Sequence, residues 1–232
     1  MMACIYLIRH GQANTQSSNY DQLSDLGIEQ SHMLGPYLAQ KCLQPNVVTG
    51  NMQRHQKTAD IAISAGTLKP ENYSVDERWN EYNHQAILAG LDEELRTPEG
   101  MRNYFIQNQL NKDAFRPLFL KAVNQWIEAD ENTYYPESWK TFQQRVNEAF
   151  EKAMCSTAKI QFIFTSGGPI SLIVCRLLSL PPQQFMMINW NLVNTGITKI
   201  LFNKRTGNIS LSCLNEHAIL DNVLHQAKIT YT

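Results

Sequence analysis

The sequence predicts an α/β fold: a three-layer α/β/α sandwich around a mostly parallel sheet with an antiparallel edge strand. Two observations predict it. Short apolar runs alternate with helical patterns near both ends of the chain, and the clearest run, Ile160–Thr165, precedes a long apolar helical segment. A helical insertion at about residues 85–156 interrupts this alternation, and we expect it to form a lid over the crevice of the sheet. The 232 residues are expected to form a single domain.

The first strand is predicted at residues 4–8, an apolar run that ends in Arg9, His10 and Gly11. In open α/β sheets, ligands bind outside the carboxyl ends of the strands. We therefore expect His10 at a crevice, with a fixed cation before it and flexible backbone after it. These three residues alone are also compatible with an alternative interpretation, in which the strand simply ends here and Gly11 makes the turn.

The N-terminal half continues with a helix, a strand, a second helix and a weak strand. Ser24 is placed to cap the first helix. The residues expected on its inward face are Met33, Leu34, Tyr37 and Leu38. A short strand at residues 47–49 precedes a helix over residues 52–65 with Gly66 as its C-cap, and a weak strand is expected near residues 74–75.

The middle of the chain reads as helical through about residue 156. Its apolar side chains recur three or four residues apart at Trp139, Phe142, Val146, Phe150 and Met154. This spacing is typical of a helix that packs on a core. The strand Ile160–Thr165 and a buried helix over residues 170–180, closed by Pro181, then restore the alternation.

The last elements are predicted to be a hairpin. Its strands lie at residues 198–202 and 209–214, and the turn is centred on Gly207. The hairpin is the source of the expected antiparallel edge.

Charge and cysteine content exclude several classes of partner. The 20 Lys and Arg residues against 21 Asp and Glu residues leave a net charge of −1, which offers no footprint for nucleic acid or an anionic membrane. The five cysteines are widely spaced without a C-x-x-C pair, which favours reduced thiols. No run of 18 apolar residues occurs. We therefore expect a cytoplasmic protein with no nucleic-acid or membrane partner.

Chemically reactive side chains follow several of the predicted strands. Besides His10, Arg54 lies in the first turn of a helix, where a cation is unfavourable unless an anion is near. Glu81 lies in a loop, and Ser166 follows the strand that ends at Thr165. Because the sequence does not determine the register of the loop around Glu81, Glu77 remains the alternative carboxylate.

Together these segments resemble the histidine phosphatase superfamily, the phosphoglycerate-mutase-like fold. An R-H-G motif stands at residues 9–11 and an R-x-x-x-T-A motif at residues 54–59. Further matching segments are Leu23-Ser24-x-x-Gly27-x-x-Gln30, Glu137-Ser138-Trp139, Asn194-Thr195-Gly196-Ile197 and Leu214-Asn215. The resemblance therefore extends over nearly the whole chain.

The resemblance implies a mechanism. His10 would be the nucleophile and would form a phosphohistidine, which divides one difficult displacement into two easier steps. Arg9 and Arg54 would clamp the phosphoryl oxygens, because a guanidinium group matches phosphate bidentately. Glu81 would be the general acid that protonates the leaving oxygen.

The family pattern breaks at one position, where a second histidine is expected and this chain has Ser166. Ser166, Gly167 and Asn14 complete the expected phosphate-binding set, since Gly167 opens a helix whose N–H groups favour anions. Of the remaining histidines, His84 is the most plausible substitute. A serine nucleophile is disfavoured, because G-x-S-x-G would require glycine where Phe164 stands.

Three functions follow from the resemblance. The favoured one is a phosphatase that hydrolyses a phosphomonoester, either a small phosphorylated substrate or a phosphorylated protein side chain. A catalytically weak protein that binds a phosphorylated ligand is the alternative, motivated by Ser166. A phosphoglycerate mutase is less favoured, because the residues after Glu81 depart from the mutase pattern. We expect no cofactor and no metal, and the sequence leaves the oligomeric state open.

Overall fold

The computed structural model describes residues 2–14, 21–130, 135–221 and 225–231. The strands are β1 (Met2–Arg9), β2 (Asn46–Thr49), β3 (Asn72–Val75), β4 (Ile160–Thr165), β5 (Ile197–Asn203) and β6 (Ile209–Glu216). The helices are α1 (Asp25–Lys41), α2 (Gln53–Ala65), α3 (His84–Leu91), α4 (Pro98–Gln107), α5 (Phe115–Glu128), α6 (Trp139–Cys155), α7 (Gly167–Leu177) and α8 (Phe185–Asn189). In the described parts of the chain, no helix is both long and apolar enough to cross a membrane.

The strands form one sheet in the order β3-β2-β4-β1-β5-β6. The pairs β3/β2, β2/β4 and β4/β1 are parallel, whereas β5 is antiparallel to both β1 and β6. The predicted hairpin is confirmed, and it places β6 at the edge. The turn is closed by the Gly207 N–H, which donates to the carbonyl of Asn203 at 2.8 Å while Gly207 adopts φ +73°. The prediction of a mostly parallel sheet with antiparallel pairing at one side is confirmed.

Helices cover both faces of the sheet, as β1 illustrates. Its side chains alternate between the faces. Ile5 and Leu7 are fully buried in the core formed with α6 and α7, and Tyr6 and Ile8 are buried in the core formed with α1 and α2. This is the predicted three-layer arrangement.

The predicted cap and inward face of α1 are largely confirmed. The Ser24 side chain accepts a hydrogen bond from the Gly27 N–H at 3.0 Å. Leu34 and Leu38 are fully buried, whereas Met33 and Tyr37, on either side of this stripe, are only half-buried. The apolar stripe toward the sheet is therefore narrower than predicted.

The helix predicted at residues 170–180 instead spans Gly167–Leu177, three residues earlier at both ends. Pro169 is accommodated because first-turn residues do not need their N–H for an intrahelical bond. At the other end, Ser179 adopts φ +52°, and the Leu180 N–H donates back to the carbonyl of Cys175 at 2.9 Å. This left-handed turn ends the helix before the prolines.

An aromatic cluster connects the inserted helices to the core of the sheet. The ring of Phe142 on α6 lies 5.6 Å from those of Tyr82 and Trp126, 5.7 Å from Trp139 and 6.2 Å from Phe185, measured between centroids. Because Trp126 belongs to α5 and Phe142 to α6, the insertion shares its apolar core with the sheet. The single domain and the lid remain predictions.

We predict that Phe142→Ala lowers the free energy of unfolding by about 3–5 kcal/mol, because it leaves a cavity among rings that cannot collapse into it. Urea denaturation followed by circular dichroism measures the change. The matched control is Phe115→Ala, whose ring is 37% exposed and which should cost about 1 kcal/mol or less. Equal losses in the two variants would contradict the described packing.

Candidate active site

Three neighbouring strands bring the predicted site together. Arg9 at the end of β1 pairs with Thr165 at the end of β4, and the next residue, His10, donates its backbone N–H to the Thr165 carbonyl at 2.9 Å. On the other side of β4, the Gly50 N–H donates to the Phe164 carbonyl at 3.1 Å just before α2 begins. His10, Ser166 and the first turn of α2 therefore leave the sheet side by side.

The His10 ring is held in one orientation. Its Nδ1 lies 2.7 Å from the Gly11 carbonyl oxygen, and the Nε of Arg54 lies 3.2 Å from its Nε2. Since the guanidinium donates to Nε2, we assign the proton to Nδ1 and the lone pair to Nε2. Burial lowers the pKa of His10 well below its usual range, and the charges of Arg54, His55 and Arg9 lower it further. The ring is therefore neutral at pH 7, and its Nε2 lone pair accepts from Arg54.

The R-x-x-x-T spacing of α2 connects the two arginine motifs. The hydroxyl of Thr58 accepts from the Gly11 N–H at 3.0 Å and donates to the Arg54 carbonyl at 2.7 Å. A Cβ at Gly11 would lie 2.4 Å from the carbonyl oxygen of Gly27 on α1. Only glycine therefore allows the chain after His10 to run this close to both helices.

Two guanidinium groups are buried beside His10. Arg9 is 4% exposed and Arg54 is 6% exposed. Arg9 donates through Nη1 to the carbonyl of Leu192, and Arg54 forms an ion pair with Asp21 at 2.7 Å. Burying a cation is costly unless a counter-charge is close. The arrangement favours an anionic ligand over the Nε2 of His10.

Glu81 lies at the beginning of α7. Its Oε2 accepts from the Gly168 N–H at 3.1 Å and its Oε1 from the Tyr82 N–H at 3.2 Å. Burial raises the pKa of this carboxyl and outweighs the opposing effects of these N–H groups and of the two arginines. Glu77, the alternative carboxylate, is exposed on the short 3-10 turn before it. Of the two, Glu81 is the carboxyl within electrostatic reach of Arg9 and Arg54.

The loop that carries Glu81 is held by Arg145 on α6. The guanidinium donates to the backbone carbonyls of Arg78 at 2.9 Å and Asn80 at 2.8 Å, and it forms an ion pair with Glu137. Sequence reasoning missed Arg145, because no local pattern connects it to a loop more than 60 residues earlier.

Ser166 contacts a histidine, but not the one that the sequence suggested. The Nε2 of His55, the third residue of α2, lies 2.6 Å from the Ser166 hydroxyl oxygen, and both residues are fully buried. The suggestion that His84 substitutes for the missing histidine stays a prediction; burial and then the charge of Arg54 lower the pKa of His84. The adjacency of His55 to Arg54 was the available sequence signal.

Close backbone approach explains the two glycines that open α7. A Cβ at Gly167 would lie 2.1 Å from the Asn189 side-chain oxygen, and one at Gly168 would lie 2.0 Å from the Oε1 of Glu81. The start of this helix thus faces the buried arginines, a position where N–H groups favour an anion.

Asn14 is the last residue of the first described segment. The backbone N–H of Asn14 donates to the Gln22 carbonyl at 2.8 Å, and the residues that follow, 15–20, lie outside the described part of the chain. Its phosphate-binding role stays a prediction.

Within the described residues, no three His, Cys, Asp or Glu side chains are grouped to hold a metal ion.

The chain is similar to known proteins over nearly its whole length. The family model described as the histidine phosphatase superfamily (branch 1) matches residues 5–215. Among curated proteins, none matches the sequence.

Three solved structures illustrate the similarity in fold. An alpha-ribazole phosphatase from Shigella flexneri is 22% identical with a TM-score of 0.62, covering 92% of this chain and 96% of that one. A mycobacterial glucosyl-3-phosphoglycerate phosphatase with inorganic phosphate is 20% identical with a TM-score of 0.64, covering 94% and 100%. A phosphoglycerate mutase from Bacillus anthracis is 18% identical with a TM-score of 0.58, covering 94% and 95%.

We predict that Arg54→Lys weakens the binding of inorganic phosphate by about tenfold or more, because a single ammonium cannot pair with Asp21 and also present a planar fork above His10. Isothermal titration calorimetry measures the Kd. The control is Arg96→Lys, an exposed pair with Glu93. An unchanged Kd in Arg54→Lys would show that the phosphate lies elsewhere.

Proposed function

The chain belongs to the histidine phosphatase superfamily, and on that premise we propose that it hydrolyses a phosphomonoester through a phosphohistidine on His10. The observation that carries this proposal is the state of the imidazole. The lowered pKa keeps His10 neutral. Its Nδ1–H donates to the Gly11 carbonyl, and its Nε2 lone pair accepts from the Nε–H of the buried Arg54. A phosphoryl oxygen that accepts from the same guanidinium brings phosphorus next to that lone pair.

In the first step, Nε2 of His10 attacks phosphorus and the bond from phosphorus to the ester oxygen breaks. Glu81, whose pKa is raised by burial, acts in its protonated form and gives its proton to the departing oxygen, so that an alcohol leaves. Arg9 and Arg54 stabilise the equatorial oxygens, where the charge of a loose transition state is spread. The products of this step are the alcohol, phosphohistidine and the Glu81 carboxylate.

In the second step, the Glu81 carboxylate takes a proton from water as the water oxygen attacks phosphorus. The bond between phosphorus and Nε2 breaks, and inorganic phosphate leaves. His10 is neutral again and Glu81 is protonated again, so the cycle closes without a metal or cofactor.

The substrate class is a small phosphorylated molecule or a phosphorylated protein side chain. A second function, binding of a phosphorylated ligand with little turnover, is favoured by one observation. Ser166 offers a hydroxyl but no positive charge where the family resemblance leads us to expect a histidine.

The decisive experiment is hydrolysis of p-nitrophenyl phosphate by the purified protein in EDTA, from pH 4.5 to 8, beside His10→Ala. We expect turnover that His10→Ala abolishes, and a phosphoenzyme from 32P-labelled substrate that is labile in acid and stable in base. Phosphate binding without turnover would favour the ligand-binding function. Turnover that survives in His10→Ala would refute the proposed nucleophile.

We predict that Glu81→Gln lowers kcat/KM, which reports the first phosphoryl transfer, by about 10²–10³-fold for an alkyl phosphate and much less for p-nitrophenyl phosphate, whose leaving group needs no proton. Glu77→Gln, on the exposed turn, is the matched control. Equal losses of kcat/KM for both esters would show that Glu81 does not protonate the leaving group.

The pH profile tests the same assignment. Because the pKa of Glu81 is raised and that of His10 is lowered, kcat/KM for an alkyl phosphate should rise as His10 loses its proton below pH 6.5. It should fall as Glu81 ionises above its usual range near 4.5. The alkaline fall should disappear in Glu81→Gln, and its persistence there would assign it to another group.

A further inference from the structure

His55 and Ser166 form a buried pair beside the proposed nucleophile. Their Nε2 and Oγ atoms are 2.6 Å apart, both residues are fully buried, and the ring centroids of His55 and His10 are separated by 5.6 Å. We propose that His55 and Ser166 act as one hydrogen-bond relay, in which His55 Nε2–H donates to Ser166 Oγ and so directs the Ser166 hydroxyl proton toward a phosphoryl oxygen above His10. This inference rests on the proposed function.

The direction of the hydrogen bond follows from the other ring nitrogen. Burial and the charge of Arg54 lower the pKa of His55 well below its usual range, so the ring is neutral and carries one proton. Its Nδ1 is buried and has no hydrogen-bond partner among the described residues. A buried N–H without an acceptor is rarer and costlier than a buried lone pair. The proton therefore belongs on Nε2, and Ser166 Oγ accepts it.

Ser166 does not do what a serine ahead of a helix usually does. A serine at the N-cap normally accepts from a backbone N–H of the first turn, yet the Ser166 side chain makes no such bond to α7. Its oxygen faces His55 instead. Since His55 already donates to this oxygen, the serine proton has no acceptor among the described residues and is available to a ligand.

The position of Ser166 makes a phosphoryl oxygen the natural acceptor. Ser166 directly follows Thr165, whose carbonyl binds the backbone N–H of His10. Arg54, next to His55 in α2, contacts the nucleophilic nitrogen of His10. The two residues of the relay are therefore chain neighbours of groups that bind His10, and the relay supplies a neutral donor where the resemblance implies a histidine.

A double-mutant cycle tests the relay. His55→Ala and Ser166→Ala should each lower kcat for p-nitrophenyl phosphate by about 10²-fold, the usual loss for one donor to the transition state. The kcat of the double variant should be no lower than that of the less active single variant, because both changes remove the same donor. His55→Gln keeps an N–H near the position of Nε2 and should recover most of the activity. His32→Ala, exposed on α1, is the control.

A swap provides an independent test. Ser166→His alone should be poorly active, because a second ring would collide with His55, whose Nε2 is only 2.6 Å from Ser166 Oγ. His55→Ala/Ser166→His makes room for that ring and should be at least tenfold more active than Ser166→His. Thermal melts of every variant identify any that fails to fold.

Several outcomes overturn the relay. They are unchanged kcat in Ser166→Ala, losses that multiply in the double variant, or His55→Gln as inactive as His55→Ala. An acid-stable phosphoenzyme that Ser166→Ala abolishes would make Ser166 a nucleophile instead. If the wild type shows no His10-dependent turnover, the proposed function fails separately. The same cycle is then measured on the Kd of inorganic phosphate, where non-additive losses support the relay and additive losses refute it.

Discussion

The parallel register of β1, β4 and β2 is the constraint on which the rest of the site depends. Arg9 pairs with Thr165, so His10 and Ser166 emerge at adjacent strand ends, and the backbone bond from His10 to Thr165 connects the two exits. A shift of one residue would turn each strand's side chains to the other face and exchange its buried sets. The apolar residues of both cores therefore hold the reactive groups in place.

Electrostatics within this site are consistent with one protonation pattern. Burial and two guanidinium groups hold the pKa of His10 well below its usual range, while burial raises the pKa of the Glu81 carboxyl despite the same guanidinium groups. A nucleophile without its proton and an acid with its proton are what attack on a phosphate ester requires. Burial thus shifts the pKa values of both groups in the directions that the proposed chemistry needs.

Helices from both layers position the site side chains. From one face of the sheet, the beginning of α2 supplies Arg54, His55 and Thr58. From the other face, α6 supplies Arg145, which holds the backbone before Glu81. Because α2 supports His10 and α6 supports the loop of Glu81, the candidate site is complete only when both layers are packed on the sheet.

The sequence by itself determined most of the elements and predicted the candidate site residues, because each left a local signal. Apolar runs marked the strands, Ser24 marked the start of α1, and the R-H-G motif marked His10. The tertiary structure alone decided which side chains meet. His55 reaches Ser166 across 111 residues and Arg145 reaches the Glu81 loop from α6. Such contacts arise from the packing of whole layers, and no periodicity or spacing in the chain records them.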